Sequence, residues 1–102
     1  PRTLLVDTAD PARESLAAEL RADGHDVVTA DDAMGAVDRL EQGPFDLVLT
    51  ELLLRDMSGV ELASYVRRHP NGLLARVVIL SSRDDAAAIA HALNSGVDDY
   101  LT

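Results

Sequence analysis

Acidic and hydroxyl side chains stand directly after three of the short apolar runs in this sequence. Asp7 and Thr8 follow the first run, Glu51 follows the third, and Ser81 follows the fourth. Carboxylates can hold a cation or accept a transferred group, and a hydroxyl can hydrogen-bond an anion. A carboxylate at the end of a buried strand is costly unless it has a partner. We therefore interpret these residues as one candidate site, and Asp7 alone as either part of that site or a cap of its own turn.

The apolar runs predict five strands, and the amphipathic stretches between them predict four helices. The predicted strands are Thr3–Val6, Asp26–Ala30, Phe45–Thr50, Arg76–Leu80 and Asp99–Thr102. The predicted helix caps are Asp10, Asp31 or Asp32, Ser58, and Asp84 or Asp85. This alternation predicts an α/β fold, a doubly wound five-stranded parallel sheet covered on both faces. In such sheets sites form beyond the carboxyl ends of the strands, which is where the candidate residues fall.

Composition excludes several classes of function. The 102 residues predict a single domain over 1–102, and the net charge of −9 argues against direct binding of nucleic acid. There is no cysteine, and no apolar run approaches the roughly 20 residues of a membrane span. We therefore expect a cytoplasmic protein without a membrane partner. His25, His69 and His91 are isolated and favour surface or cap roles over metal binding.

Five segments together resemble the receiver domain of bacterial response regulators, as found in chemotaxis regulators and other two-component signalling proteins. They read LLVDTADP, GHDVVTA, GPFDLVLTELLLRDMSGVEL, VVILSSRDD and NSGVDDYLT, in the family's order and spacing. The resemblance covers essentially the whole chain. It implies a flavodoxin-like sheet with the strand order 2-1-3-4-5, an arrangement that the chemotaxis regulator illustrates.

The resemblance also implies a chemistry for the crevice. In the family, an Asp that ends strand three takes a phosphoryl group from a partner histidine kinase, and acids after strand one hold Mg²⁺. The cation bridges the carboxylate and the incoming phosphoryl group and offsets the repulsion between the two anions. A Ser or Thr ending strand four, a Lys after strand five and an aromatic residue on strand five then respond to the phosphoryl group.

This sequence departs from the family pattern at the positions that carry the chemistry. Glu51 stands at the phosphoacceptor position, one methylene longer than Asp, which should weaken or abolish in-line transfer. Asp7 matches the first acid, but Thr8 replaces the second acid, and a neutral hydroxyl is a poor ligand for Mg²⁺. Asp7 and Glu51 remain as candidate metal ligands. Mg²⁺ is therefore still a candidate cofactor, but its binding is expected to be weakened by Thr8, and no other cofactor is expected. As two facing carboxylates, they predict a raised pKa for one of the pair, or neutralisation by Arg55 or a cation.

The other family positions are partly filled. Ser81 matches the phosphate-sensing hydroxyl, Tyr100 matches the aromatic reporter, and Arg55 replaces a usual Pro and places a cation near the crevice. The chain ends at Thr102, where the family's Lys would follow, so we expect a fragment of a longer protein, truncated before the fifth helix.

Three interpretations of function stay open. The first is an atypical, non-enzymatic receiver that acts through protein–protein interaction, in which the fixed charge of Glu51 draws Ser81 toward it and Tyr100 points outward. The second is a phosphoaccepting response regulator that receives its phosphoryl group from a histidine kinase with Mg²⁺. The third is a constitutive dimerisation or docking domain with an inert crevice. The expected partners are a histidine kinase, the output domain of the parent protein, or a second copy of the chain.

Overall fold

A computed structural model describes all of residues 1–102. The five strands are β1 (Arg2–Val6), β2 (Asp26–Ala30), β3 (Leu47–Glu51), β4 (Arg76–Leu80) and β5 (Asp99–Leu101). The four helices are α1 (Asp10–Ala22), α2 (Ala33–Glu41), α3 (Gly59–Arg68) and α4 (Ala86–Asn94). Strands and helices alternate throughout, as the sequence predicts. None of the helices is long and apolar enough to cross a lipid bilayer.

The strands form one parallel sheet in the order β2-β1-β3-β4-β5. Helices cover both faces, which explains why the strands are apolar on both sides. On one face, a cluster of 18 buried residues joins the sheet to α2, α3 and α4. On the other face, a cluster of five buried residues joins the sheet to α1, which contributes Ala17. The predicted fold and strand order are confirmed.

Three of the four helix caps lie where the sequence places them. Asp32, Ser58 and Asp85 accept hydrogen bonds from the backbone N–H groups of the third residue of α2, α3 and α4. These bonds satisfy donors that have no partner inside the helix. The predicted cap at Asp10 is wrong, because α1 begins at Asp10 and its capping position is Ala9.

The third strand starts later and ends later than predicted, because its pairing begins at Leu47 and still includes Glu51. Phe45 lies before the strand, where its N–H donates to the carbonyl of Asn71. Its ring is buried and lies 4.6 Å from the guanidinium carbon of Arg2. The apolar run here indicates burial but not hydrogen-bonded pairing in the sheet. This is why the sequence pattern includes Phe45 in the predicted strand.

Candidate functional site

The register of the three central strands brings the candidate residues to one edge of the sheet. Val6 pairs with Thr50, so Asp7 lies level with Glu51 on the neighbouring strand. Glu51 itself pairs with Leu80, and Ser81 follows directly. Parallel strands end at the same edge, which is where doubly wound sheets form their sites. Asp7, Thr8, Glu51 and Ser81 are hereafter called the crevice residues.

Asp7 has a structural role in the turn between β1 and α1. Its backbone N–H donates to the carbonyl of Ala30 at 3.1 Å, and its Oδ1 accepts the N–H of Ala9 at 2.9 Å. The Nη1 group of Arg13 donates to the Asp7 carbonyl at 2.9 Å. Asp7 therefore caps its own turn, the alternative that the sequence left open, while its second carboxylate oxygen makes no hydrogen bond within the chain.

Thr8 faces the neighbouring turn. Its hydroxyl donates to the carbonyl of Asp31 at 3.3 Å, which links the β1–α1 turn to the β2–α2 turn. A side chain held in this way supplies no negative charge to the crevice. The position that carries an acid in the family thus contributes only a weak contact between two turns.

Glu51 is half-buried at the end of β3. Desolvation raises the pKa of its carboxyl group above the ordinary value, and the negative charge of Asp7 raises it further. The sequence predicted such a shift from the like charges, and it is confirmed, although burial is the larger cause. The two carboxylates therefore lie close enough to repel each other.

The backbone next to Glu51 is fixed by close packing against α3. The N–H of Gly59 donates to the carbonyl of Leu52 at 2.7 Å. A Cβ atom at Gly59 would lie only 2.2 Å from the Glu51 carbonyl oxygen and 3.1 Å from Cδ1 of Ile79. Only glycine allows α3 to approach the end of β3 this closely, so Gly59 sets the distance between the Glu51 backbone and the helix.

Ser81 and Tyr100 do not adopt the arrangement predicted for a fixed charge at Glu51. Tyr100 is buried against the core, and its hydroxyl donates to the carbonyl of Arg83 at 2.8 Å. The hydroxyl oxygen of Ser81 accepts the N–H of Arg83 at 3.0 Å and makes no hydrogen bond to Glu51. An outward Tyr100 and a Ser81 drawn toward Glu51 are therefore both wrong. The loop after β4 provides nearer partners for both side chains.

The loop that follows Glu51 carries two contacts that sequence reasoning missed. Asp56 accepts the backbone N–H groups of Ala33 and Met34, both at 2.9 Å, and so caps α2 from a loop 23 residues away. Arg55 lies 3.9 Å from the carboxylate of Asp31, with both side chains more than half exposed. Arg55 therefore pairs at the rim and not with Asp7 or Glu51, which corrects its predicted place near the acids.

The charge of Asp56 is stabilised by these contacts. Desolvation acts to raise the pKa of its carboxyl group, but the N–H groups of Ala33 and Met34 and the charge of Arg55 outweigh it, so the pKa lies below its usual value. No local signal marks this role, because a loop acid near a distant helix start has no characteristic spacing in the sequence.

The crevice contains few charged ligands for a divalent cation. Nowhere in the chain do three or more His, Cys, Asp or Glu side chains converge on one point. Asp7 and Glu51 are the two carboxylates present, and one oxygen of Asp7 already accepts the Ala9 N–H. Mg²⁺ takes about six oxygen ligands in near-octahedral geometry, several of them usually water, so each protein carboxylate counts for much of the binding. With Thr8 hydrogen-bonded to the Asp31 carbonyl, the crevice supplies these two carboxylates and no third charged ligand.

The fold and the edge site define a doubly wound α/β protein with an acidic crevice at its switch point. Residues 3–102 match the profile of the response regulator receiver domain. The chain therefore belongs to the receiver-domain family of two-component signalling, whose members interact with histidine kinases and output domains.

The chain is also similar to individual relatives and solved structures. The chain is 34% identical over 99 residues to the transcriptional regulatory protein KdpE of Mycobacterium tuberculosis, covering 97% of this chain and 42% of that protein. It therefore spans less than half the length of this relative. A two-component response regulator from Clostridium difficile has the same fold, with a TM-score of 0.89 and 27% identity over 98% of this chain and 80% of the other.

A further similar structure is informative about the crevice. The receiver domain of the sensor histidine kinase PA1611 from Pseudomonas aeruginosa has a TM-score of 0.87 and 25% identity, covering 99% of this chain and 83% of the other. That domain coordinates a magnesium ion in its active-site cleft.

Proposed function

We propose that this chain is an atypical receiver module of a two-component signalling protein that acts through protein–protein contacts and does not run a Mg²⁺-dependent phosphoryl cycle. The observation that supports this most directly is Thr8, whose hydroxyl donates to the Asp31 carbonyl where the family has an acid. In this proposal the domain is not an enzyme, needs no cofactor, and works in the cytoplasm. Its partners are the kinase or output domain of the parent protein.

The loss of one acid matters because phosphoryl transfer depends on charge compensation. A phosphoryl group that approaches Glu51 also approaches Asp7, whose charge adds to the effect of burial in raising the pKa of the Glu51 carboxyl group. Without a well-held cation, nothing in the crevice offsets that repulsion, since Arg55 is paired with Asp31 at the rim. The negative charge of the crevice therefore opposes the transfer.

The acceptor itself is also displaced. Glu51 occupies the acceptor position, but its carboxylate lies one methylene further from the strand than that of Asp would. The Glu51 backbone packs closely against α3 at Gly59, so a shift of the strand end to compensate would disturb that packing. Because in-line transfer tolerates little misplacement, the longer side chain reduces reactivity independently of the metal.

The experiment is incubation with a small phosphodonor and Mg²⁺, followed by intact mass measurement. We expect no added phosphoryl group on the natural sequence, and a measurable fraction of phosphorylated protein for the double variant Thr8→Asp/Glu51→Asp, which restores both family acids. The single variants are the matched controls. Stoichiometric phosphorylation of the natural chain would contradict the proposal and support a phosphoaccepting regulator.

A second measurement distinguishes the proposed function from that of a docking domain with an inert crevice. If the crevice contributes to partner contacts, Glu51→Gln weakens binding of the histidine kinase or output domain of the parent protein. Binding that is unchanged by Glu51→Gln would favour the docking interpretation.

A further inference from the structure

The outer face of α3 carries two concave depressions that lie apart from the crevice residues, with volumes of about 360 and 310 Å³. Tyr65 and Arg68 line both of them, and the two together form what we call the α3 groove. His69 and Pro70 complete its first half, and Met57, Glu61 and Ser64 complete its second half. Because α3 runs back from the end of β3 toward the start of β4, the His69 end of the groove lies at the sheet edge opposite Glu51.

Arg68 provides a positive charge in the groove that no carboxylate of the chain neutralises. Its Nε group donates to the carbonyl of Ser64 at 3.3 Å, and its two terminal nitrogens have no hydrogen-bond or ion-pair partner in the chain. The preceding residue, Arg67, is instead held by Asp98 and by the carbonyls of Ala75 and Gly96. In a chain of net charge −9, an unpaired guanidinium beside a depression is free to bind a carboxylate from outside.

His69 and Tyr65 add neutral donors beside Arg68. The Nδ1 atom of His69 accepts the backbone N–H of Asn71 at 3.0 Å, so the proton of the neutral ring lies on Nε2. The Tyr65 hydroxyl has no acceptor within the chain, and the side chain is 41% exposed. Three donors without internal acceptors therefore line the same depression, next to the apolar surfaces of Tyr65 and Pro70.

We propose that the α3 groove binds a segment of a partner protein through a single carboxylate, with Arg68 as the ion-pair partner and an adjacent apolar side chain against Tyr65 and Pro70. One guanidinium matches the charge of one carboxylate, whereas a phosphate group carries close to two negative charges at neutral pH. The overall negative charge of the chain also disfavours polyanions. The site goes beyond the proposed function of the crevice and does not depend on Glu51.

Glu61 makes the charge of the groove asymmetric and provides a matched control for Arg68. It lies seven residues before Arg68 on the same helix, about 10 Å along the axis, in the second half of the groove. The charge of the groove thus changes from negative to positive along α3. Removing the charge of Glu61 should leave a carboxylate ligand bound or tighten it, whereas removing the charge of Arg68 should release it.

The test is a titration of the full 102-residue chain with phenylacetate, in which binding is measured from the amide chemical shifts. We expect saturable shifts concentrated at residues 65–72, with a dissociation constant in the millimolar range for so small a probe. Arg68→Gln should weaken binding about fivefold or more, whereas Glu61→Gln and Glu51→Gln should bind at least as tightly as the natural chain. An unchanged amide spectrum away from α3 verifies that each variant is folded.

Two further probes decide whether the carboxylate is what the groove recognises. Phenylacetamide has the same shape without the charge and should bind at least several-fold more weakly. Inorganic phosphate should also bind more weakly than phenylacetate. Equal binding of the amide, tighter binding of phosphate, shifts scattered over the surface, or unchanged binding by Arg68→Gln would each overturn the proposal.

Discussion

Removal of the Asp56 carboxylate by Asp56→Ala should destabilise the protein by detaching the loop after Glu51 from the start of α2. Asp56 accepts two backbone N–H groups, those of Ala33 and Met34. Ala33 is fully buried, so its N–H would lose a partner that water cannot easily replace, whereas Met34 is 70% exposed and its N–H can turn to solvent. The loss therefore resembles that of one helix cap, about 1–2 kcal/mol.

Chemical denaturation of natural and variant protein at pH 7 measures this loss, and thermal unfolding should show a fall of about 4–8 °C for each kcal/mol in a domain of this size. Asp56→Asn keeps one acceptor oxygen and should lose about half as much stability. Asp38→Ala is the matched control, because Asp38 lies exposed on α2 without a hydrogen bond or ion pair and should change the stability by at most about 0.5 kcal/mol.

The effect should also depend on pH with a definite sign. The pKa of Asp56 lies below its unfolded value of 3.8 in the folded protein, so its contribution is fully present above that value and is lost as the pH falls through the folded pKa. The stability difference between natural protein and Asp56→Ala should therefore shrink below about pH 3.8. A loss equal to that of Asp38→Ala at pH 7, or a difference that does not change with pH, would refute the capping role.

Three more perturbations test the surroundings of the crevice. Glu51→Gln should raise the free energy of unfolding at pH 7. Because the pKa of Glu51 is raised in the folded protein, ionisation of its carboxyl group costs stability as the pH rises above 4.5. Urea denaturation should therefore show a gain in stability at pH 7 that vanishes in acid. Gly59→Ala should lower the stability by about 1–3 kcal/mol, because the new Cβ atom would lie 2.2 Å from the Glu51 carbonyl oxygen. A variant as stable as the natural chain would show that α3 can shift to make room. Asp98→Ala should cost about 1–3 kcal/mol at pH 7, because it removes the partner of Arg67 and leaves the buried Val77 N–H, now bonded at 2.7 Å, without an acceptor. Desolvation acts to raise the pKa of Asp98, but the Val77 N–H and Arg67 lower it overall. The cost of Asp98→Ala should therefore diminish as the pH falls through the folded pKa of Asp98. A cost that does not depend on pH would contradict this role of Asp98.

The fold was predictable because its determinants are local and repeated. Alternating apolar runs and amphipathic stretches specify the element order, and turn residues such as Ser58 and Asp85 mark helix starts that the structure confirms. Errors arose where the sequence signal measures burial and not hydrogen bonding, as at Phe45, which is buried but unpaired in the sheet.

The placement of the crevice residues was also accessible, since parallel strands end at one edge and carry Asp7, Glu51 and Ser81 there. What the side chains do at that edge was not accessible. Ser81 and Tyr100 bond to the backbone of Arg83, and Asp56 caps α2 across 23 residues. These contacts depend on which backbone groups lie nearest in three dimensions, and no spacing in the sequence encodes that distance.

The central claim, that the crevice no longer supports Mg²⁺-dependent chemistry, is tested most directly by titrating the natural chain and Thr8→Asp with Mg²⁺ and following the amide shifts of Asp7, Thr8 and Glu51. Thr8→Asp restores the second acid of the family pattern and adds a third carboxylate to the crevice. It should give saturable binding in the millimolar range, at least tenfold tighter than in the natural chain, a difference of about 1.4 kcal/mol. The natural chain should show only the small, unsaturated shifts of general ionic screening. Saturable millimolar binding of Mg²⁺ by the natural chain, equal to that of Thr8→Asp, would contradict the account.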